Sequence, residues 1–228
     1  MMKHLLLFLI FISGSLLAQQ PKRELRGVWV ATVQNIDWPS PRNYNGITQQ
    51  KEFIELLDSH QKTGINALFV QVRTAADAMY AKGSEPWSSY LSGLQGQAPK
   101  PFYDPLAFMI AESHARGMEF HAWLNMNRAS MSTKSLLSSE SIVRKHPEWI
   151  VTYNNQHLFN FGIPAVRHYI TNIVKNIVAQ YDVDGIHFDD YFYPYPIKNE
   201  VFQDGEAYQS YKLPNESLAD WRRRSVNA

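Results

Sequence analysis

The sequence predicts an α/β fold of the (β/α)8 TIM-barrel type, of which this chain holds about four βα units. Three observations support this prediction. Strand-like and helix-like segments alternate, the connections between them are unequal in length, and the strands carry different side chains on their two faces. The chain has 228 residues, 45% of them hydrophobic, and no cysteine. We therefore expect a hydrophobic core, and not disulfides, to stabilise it.

The N-terminal segment 1–18 is predicted to be a secretory signal peptide. Lys3 precedes an apolar run from Leu5 to Leu17, and polar residues follow directly after Ala18. The run is shorter than the ~20 residues that a membrane-spanning helix needs. We expect an exported chain, periplasmic or extracellular, with no stable membrane insertion after cleavage; an uncleaved anchor is the alternative. Residues 19–228 then form part of one barrel domain.

Four segments have the composition and alternation of β-strands, and helical periodicity fills the intervals between them. The predicted strands are 25–33, 65–73, 118–125 and 183–191. The predicted helices are 48–63, a segment that begins at Asp104-Pro105 and ends before Gly117, a segment that begins at Pro164, and 217–224, which Asn215 would cap. This order predicts a parallel sheet with helical crossovers.

The connections between these elements differ in length according to their direction. Helix-to-strand connections are very short, at Gly64 and Gly117 for example, whereas every strand-to-helix connection exceeds the usual two to six residues. The long connections are 34–47, 74–103, 126–163 and 192–214. They must leave the sheet at the carboxyl ends of its strands, where parallel α/β folds place their active sites.

Alternation within the strands favours a barrel over a doubly wound sheet, whose strands are apolar on both faces. One face of each strand is apolar, as at Leu68, Val70 and Val72. The other face carries Gln71, Arg73, His121, Trp123, Asn125, His187 and Asp189, which would converge on one interior. A full barrel needs about 250 residues, so we expect the N-terminal half of one; an unusual open sheet is the alternative.

Asp189 and Asp190 are the candidate catalytic residues, because they end the fourth predicted strand. An inward-facing carboxylate at this edge of a barrel is well placed as a nucleophile or as a general acid or base. Asp189 shares a face with His187, whereas Asp190 must point to the opposite side and would orient the loop or an arginine. The alternative is that both residues end the strand and cap the following turn.

Candidate substrate-binding residues lie on the same face and in the long loops. Gln71 and Asn125 suit sugar hydroxyls, and Arg73 would hold a substrate carboxylate or form a structural ion pair. His121 and His187 are either core histidines or, with a carboxylate, metal ligands. We expect neither metal nor cofactor, since the first strand lacks paired histidines. The remaining candidates are the aromatic residues Trp38, Trp87, Trp123 and Tyr191, which suit the apolar faces of sugar rings.

Composition and motifs narrow the class of partner. The 22 basic and 21 acidic side chains nearly cancel, which argues against binding nucleic acid through its phosphates. The sequence contains no glycine-rich phosphate loop and no Gly-x-Ser-x-Gly or His-Glu-x-x-His motif. Aromatic loops favour a carbohydrate polymer as the partner, and exposed barrel edges allow self-association.

Several segments together resemble the glycosyl hydrolase-like 10 domain, a family of exported bacterial barrel proteins linked to cleavage of peptidoglycan glycan strands. The segments are RGVWVATVQNIDWPS (26–40), TGINALFVQVRTAADAMY (63–80), EPWSSYLSG (85–93), FYDPLAFMIAESHARGMEFHAWLN (102–125), HPEW (146–149) and DGIHFDDYFYP (184–194). The chain departs from the family pattern at Thr74, at Met126-Asn127 and at residues 160–162. The resemblance implies a glycoside hydrolase fold with Asp189 at a catalytic position.

The predicted function is therefore carboxylate-based hydrolysis of a bacterial cell-wall glycan. Glycoside hydrolysis needs two carboxylates that flank the scissile bond. In this chain the partner of Asp189 would be Asp190, Asp77 or Glu85, or it would lie on a strand outside the chain. Two alternatives stay open: a non-catalytic glycan-binding or inactive barrel fragment, and a metal-dependent deacetylase.

Overall fold

The computed structural model describes residues 24–189 and 192–228; the predicted signal peptide, Asp190 and Tyr191 lie outside them. The described elements, in chain order, are β1 (Gly27–Val30), α1 (Gly46–Lys62), β2 (Ala67–Arg73), α2 (Ser89–Ser92), α3 (Pro105–His114), β3 (Glu119–Leu124), β4 (Arg128–Ser130), α4 (Ile142–Lys145), β5 (Ile150–Tyr153), β6 (Gln156–Phe159), α5 (Pro164–Gln180), β7 (Gly185–His187), α6 (Gly205–Tyr211) and α7 (Leu218–Asn227), with 3₁₀ turns at Val33–Asn35 and Pro147–Trp149.

The four predicted strands form one parallel sheet in the order β1-β2-β3-β7. Val28 pairs with Leu68, Leu68 with Phe120, and Ala122 with Ile186. Each strand is shorter than its predicted segment. Neighbouring strands in the sheet are therefore consecutive βα units, and the predicted α/β class with a parallel sheet is confirmed.

The two faces of this sheet have different surroundings. The apolar residues of β2 and β3 on one face, Leu68, Val70, Phe120 and Ala122, are completely buried in the main core together with residues of α1, α3 and α5. The other face is more open: Trp29 on it is 59% exposed, whereas Gln71 and Arg73 at its carboxyl end are buried. The side-chain alternation in the sequence therefore divides the strands correctly into a helix-facing side and an open side.

The helices begin where local capping allows them to begin. Asn45 accepts hydrogen bonds from the Ile47 and Thr48 amides at the start of α1. Asp104 caps α3, with Pro105 as its first residue, as the sequence predicts. The cap of α7 is Ser217 and not Asn215, because Asn215 has a left-handed backbone (φ 60°) outside the helix.

A second, antiparallel sheet in the order β4-β6-β5 lies within the segment 126–163, which the sequence analysis treats as a connection. Asn154 and Asn155 join β5 to β6, and both have positive φ angles, of 50° and 56°. Two consecutive residues in this conformation form the two-residue turn that matches strand twist in a hairpin. The long third connection therefore contains a small antiparallel sheet of its own.

Candidate active site

The open face of the parallel sheet carries a continuous row of aromatic rings. The His121 ring stacks on Phe69 with a centroid separation of 4.7 Å, and the His187 ring meets Phe69 edge-on at 5.1 Å. Trp29 lies 5.8 Å from both Phe69 and His187, and its Nε1 donates to His187 Nε2 at 3.2 Å. One residue from each of the four strands thus contributes to this row.

Asp189 ends the same row at the carboxyl edge of the sheet. Trp123 Nε1 donates to Asp189 Oδ1 at 2.6 Å, and the Trp123 ring meets His187 edge-on with a centroid separation of 6.3 Å. Asp189 is exposed. A carboxylate that receives one short hydrogen bond is oriented by that bond, and its remaining lone pairs stay available. The predicted convergence of Trp123, His187 and Asp189 on one face is confirmed.

Two glycines make room for this row. A Cβ atom on Gly185 would lie 2.3 Å from His121 Nδ1, and one on Gly27 would lie 2.6 Å from the Phe69 ring. Neither position tolerates a side chain without movement of the adjacent ring. The absence of a side chain at Gly185 and Gly27 therefore allows the His121 and Phe69 rings to occupy their positions.

A cleft of about 470 Å³ lies at the carboxyl edge of the sheet. Its lining comes from the segments that follow β1, β3 and β7 and from the antiparallel sheet: Val33, Gln34, Asn127, Arg128, Met131, Tyr153, Asn154, Gln156, Leu158, Pro194, Tyr195 and Ile197. The cleft therefore lies where the unequal connections predict a site, and it is walled by amides, tyrosines and one arginine.

Two features of the cleft point to ligand binding. The Asn127 side chain is almost fully buried, and its Oδ1 has no hydrogen-bond partner among the described residues. Gln34 has a left-handed backbone (φ 54°), which a residue with a Cβ rarely adopts and which concentrates at functional sites. Sequence reasoning missed these residues and the hairpin residues; the Asn154-Asn155 pair between two strand-like runs was the available signal.

Arg73 is not at the surface of the cleft, so of its two predicted roles the structure supports the ion pair and not the substrate contact. Its side chain is fully buried, and its Nε and Nη2 donate to Glu85 Oε2 and Oε1, both at 2.7 Å. Burial opposes the charge of Arg73, but Glu85 outweighs burial and raises the pKa of Arg73. Arg73 therefore forms a structural ion pair with Glu85 and cannot reach substrate. Glu85 also accepts a hydrogen bond from the Tyr169 hydroxyl, so both of its partners are side chains of the domain.

Three other predicted substrate contacts are also buried. Gln71 is 1% exposed and its Oε1 accepts from the Val33 amide; Asn125 is 0% exposed and its Oδ1 accepts from the Arg128 amide. Trp38 lies in the main core, where its Nε1 donates to the Gln49 carbonyl. These side chains shape the loops above the sheet and do not face the cleft.

The other predicted contacts are placed as follows. Trp87 is half-buried, packs against the main core and meets Phe102 edge-on at 6.2 Å. His121 is half-buried near the amino edge of the sheet, where its Nε2 lies 2.9 Å from Glu119 Oε2. The predictions for Asp190 and Tyr191 fall outside the described residues.

Asp77, considered above as a partner of Asp189, lines a separate pocket of about 270 Å³. It is 5% exposed, and its Oδ1 accepts from Thr74 Oγ1 at 3.1 Å. Burial raises the pKa of Asp77 to about 6, although hydrogen bonds with the Ser88 and Thr74 side chains favour its ionised form. This carboxyl group therefore titrates close to neutral pH.

Within residues 24–189 and 192–228, no group of three or more histidine, aspartate or glutamate side chains is arranged to hold a metal ion. No helix in this part of the chain is long and apolar enough to cross a membrane.

Comparison with known proteins adds relatives of much greater length. Glycosyl hydrolase YngK of Bacillus subtilis (strain 168) is 47% identical over 211 residues, which are 91% of this chain and 41% of that protein. Glycosyl hydrolase DigH of Escherichia coli (strain K12) is 39% identical over 225 residues, which are 91% of this chain and 51% of that protein. The chain therefore spans about half, or less, of the length of the curated relatives that it matches.

Among solved structures, an α-galactosidase from Lactobacillus brevis aligns with 82% of this chain and 23% of its own, with a TM-score of 0.49 and 13% identity. The family model described as Glycosyl hydrolase-like 10 matches residues 24–228, which include the aromatic row, Asp189 and the cleft. The chain belongs to the glycosyl hydrolase-like 10 family.

Proposed function

We propose that this chain is the N-terminal part of an exported (β/α)8-barrel glycoside hydrolase that cleaves a bacterial cell-wall glycan. The observation that carries the proposal is the position of Asp189. It is an exposed carboxylate, held by the Trp123 indole at 2.6 Å, at the carboxyl edge of a parallel sheet. Membership of the glycosyl hydrolase-like 10 family and two relatives named glycosyl hydrolase support the reaction class.

In this proposal Asp189 acts as the nucleophile or as the general acid or base. Hydrolysis of a glycosidic bond uses a second carboxyl group on the other side of the bond. Glu85 is bound by Arg73, and Asp77 lines a different pocket, so neither is placed as that partner. We propose that the partner lies on the second half of the barrel, which would also cover the open sheet face.

The cleft of about 470 Å³ is proposed as the glycan-binding site. Its amide side chains, Gln34, Asn127 and Gln156, both donate and accept, which matches the alternating hydrogen-bonding groups of a sugar. Tyr153 and Tyr195 add aromatic surface for the apolar faces of sugar rings. The unpartnered Asn127 Oδ1 is buried, and a turn of this side chain toward the cleft would let it accept a hydrogen bond from a sugar hydroxyl or acetamido N–H group.

Replacement of Asp189 in the complete barrel tests this proposal. In Asp189→Asn the hydrogen bond from Trp123 can persist, but the group can no longer attack or transfer a proton. We expect the rate of cleavage of purified wall glycan to fall by ~10²–10⁴-fold, with glycan affinity retained. Release of reducing ends and isothermal titration calorimetry measure the two quantities.

Asp182→Asn is the matched control, because it makes the same chemical change on an exposed carboxylate at the opposite edge of the sheet. It should cleave at the wild-type rate. Turnover by Asp189→Asn at the wild-type rate would show that Asp189 is not a catalytic residue.

Export is a separate part of the proposal and has a separate test. Processing after Ala18 would leave a mature chain that begins at Gln19. Intact-mass analysis of the exported fraction from the native host should find that chain. A cell-associated product that retains residues 1–18 would contradict it.

A second candidate function for the 228-residue chain is glycan binding without cleavage. The observation that favours it is that Glu85 and Asp77 are both engaged away from Asp189. Glycan binding by this chain with no release of reducing ends would support this function, and turnover by this chain alone would exclude it.

A further inference from the structure

The pocket that contains Asp77 adjoins the proposed glycan cleft. Met131 lines both cavities, so that the pocket of about 270 Å³ opens beside the cleft of about 470 Å³. Its rim is apolar: Leu94 is 57% exposed and Leu136 is 84% exposed. Tyr90 and Met131 add further apolar wall, and Asp77 supplies the buried carboxyl group.

Asp77 is a buried acid without a cation of its own. No ion pair to Asp77 is present within the described part of the chain, and Arg73 nearby is bound through two nitrogens to Glu85. A buried carboxylate that lacks a counter-ion is unfavourable, and proteins retain such groups mainly at functional sites. The pocket therefore offers a negative charge below an apolar rim.

We propose that this pocket binds a primary ammonium group carried by the glycan, with Asp77 as its counter-ion. The inference rests on the proposed function, which places the glycan in the adjoining cleft. The ammonium would donate to Asp77, and Leu94, Leu136 and Met131 would pack against the carbon atoms that bear it. Either a free 2-amino group on a sugar or a lysine-like side chain of an attached peptide carries this chemistry.

Charge complementarity favours an amine over its neutral acetylated form. An acetamido group has one N–H donor and no positive charge, so it would leave the Asp77 charge uncompensated. The hydroxyl groups of Ser89 and Ser135, which also line the pocket, can accept the remaining ammonium hydrogens. The pocket would thus distinguish deacetylated from acetylated groups at one position of the glycan.

Calorimetric titration of the 228-residue chain at pH 6.5, where both sugar amines and the lysine amine are largely protonated, tests the inference with two pairs of probes. The first pair is a glucosamine oligomer and the N-acetylglucosamine oligomer of equal length. The second pair is Nα-acetyl-lysine amide and its norleucine analogue. We expect the amine-bearing member of one pair to bind at least tenfold more tightly than its partner, and the pair that shows this preference identifies the source of the amine.

Two variants assign that preference to the pocket. Asp77→Asn keeps the shape of the side chain and should abolish the tenfold preference, while affinity for the neutral probe stays within twofold. Leu136→Lys, at an exposed position that tolerates substitution, places a cation at the rim and should reduce amine binding in the same way. Asp182→Asn should retain the preference.

Equal affinity for amine and neutral probes in the wild-type chain, or an unchanged preference in both Asp77→Asn and Leu136→Lys, would overturn the inference. That failure is distinct from failure of the proposed function, which is read from Asp189-dependent release of reducing ends from acetylated glycan. If amine binding depends on Asp77 but glycan cleavage does not depend on Asp189, the amine-binding inference stands and the proposed hydrolase function is wrong.

Discussion

At the scale of single residues, Asp77 shows what a buried carboxylate does to stability. Its neighbours include Thr74 and Ser88, which hydrogen-bond to it, and the ionisable groups of Arg73, Glu85 and Tyr80. Its folded-state pKa of about 6 is higher than the value of 3.8 expected when it is solvated. Between these two pH values the folded state binds more protons, so stability falls as pH rises through this window.

We therefore expect Asp77→Asn to stabilise the chain above pH 6, by on the order of 3 kcal/mol at most. At pH 4 most of the gain should be lost, because Asp77 is then protonated in the folded state and about half protonated in the unfolded state. Urea denaturation at pH 4 and pH 7.5 measures the difference. A gain of equal size at both pH values would show that burial does not raise this pKa.

The hydrogen bond between Trp123 and Asp189 gives a second prediction for single residues. Trp123→Phe keeps an aromatic ring beside His187 but removes the donor that lies 2.6 Å from Asp189 Oδ1. A hydrogen bond to a charged group contributes ~1.5–3 kcal/mol, so kcat of the complete barrel should fall by ~10–100-fold. The unfolding midpoint should change little, and KM should stay near the wild-type value. A rise in KM with kcat unchanged would show instead that Trp123 contributes only to substrate binding.

Single residues also mark how far sequence reasoning reaches. Alternation correctly placed Trp123, His187 and Asp189 on one face, because strand geometry fixes which side a residue points to. It could not show that the loop segments would cover Arg73 and Gln71 at the carboxyl end of β2. The depth of burial there depends on contacts between residues far apart in sequence, such as Arg73 with Glu85, which periodicity does not report.

At the scale of elements, the packing of β7 beside β3 depends on a missing side chain. Gly185 lies beside His121, and a Cβ atom there would be 2.3 Å from the His121 ring. We expect Gly185→Ala to destabilise the chain by ~1–3 kcal/mol, the usual effect of overpacking. The midpoint of urea denaturation measures this loss.

Gly205 offers a control for that substitution. It lies at the start of α6, and a Cβ atom there would meet nothing within 4 Å. Gly205→Ala should leave stability unchanged or slightly raised. Equal effects of the two substitutions would mean that the close approach of Gly185 and His121 does not limit this part of the sheet.

Elements with strong local signals were predictable, and those with weak signals were not. The helices α1 and α5 have apolar periodicity, α3 has the Asp104-Pro105 start signal, and the four parallel strands alternate with these helices and are apolar on one face. Strands β4, β5 and β6 are as short as β1 and β7, and they are stabilised by pairing with each other. No long helix separates them, so the alternation of strands and helices that identifies the parallel strands does not mark them, and the sequence predicts a connection there.

At the scale of the whole molecule, the open sheet face predicts self-association of the 228-residue chain. Within residues 24–189 and 192–228, its edge strands β1 and β7 each pair on one side only, and Trp29 is 59% exposed. Exposed apolar surface and unpaired strands promote association. Sedimentation velocity should find dimers or larger species whose fraction rises with concentration, and Trp29→Ser should lower it.

Ile47→Ser is the comparison for that variant, because Ile47 is 64% exposed but lies on α1, away from the open face. It should associate as the wild type does. A monomer at all concentrations would indicate that the open face is tolerated in water without a partner.

The chain runs into and out of the antiparallel sheet through two segments that lie side by side. The Phe159 amide donates to the Asn127 carbonyl at 2.9 Å, so the two ends of the segment 128–158 are neighbours. Tyr153, Asn154 and Gln156 of this segment line the cleft, whereas Asp189 follows strand β7 of the parallel sheet. Evolution or engineering can therefore replace this whole segment, and so change which ligand the cleft binds, without altering the parallel sheet that positions Asp189.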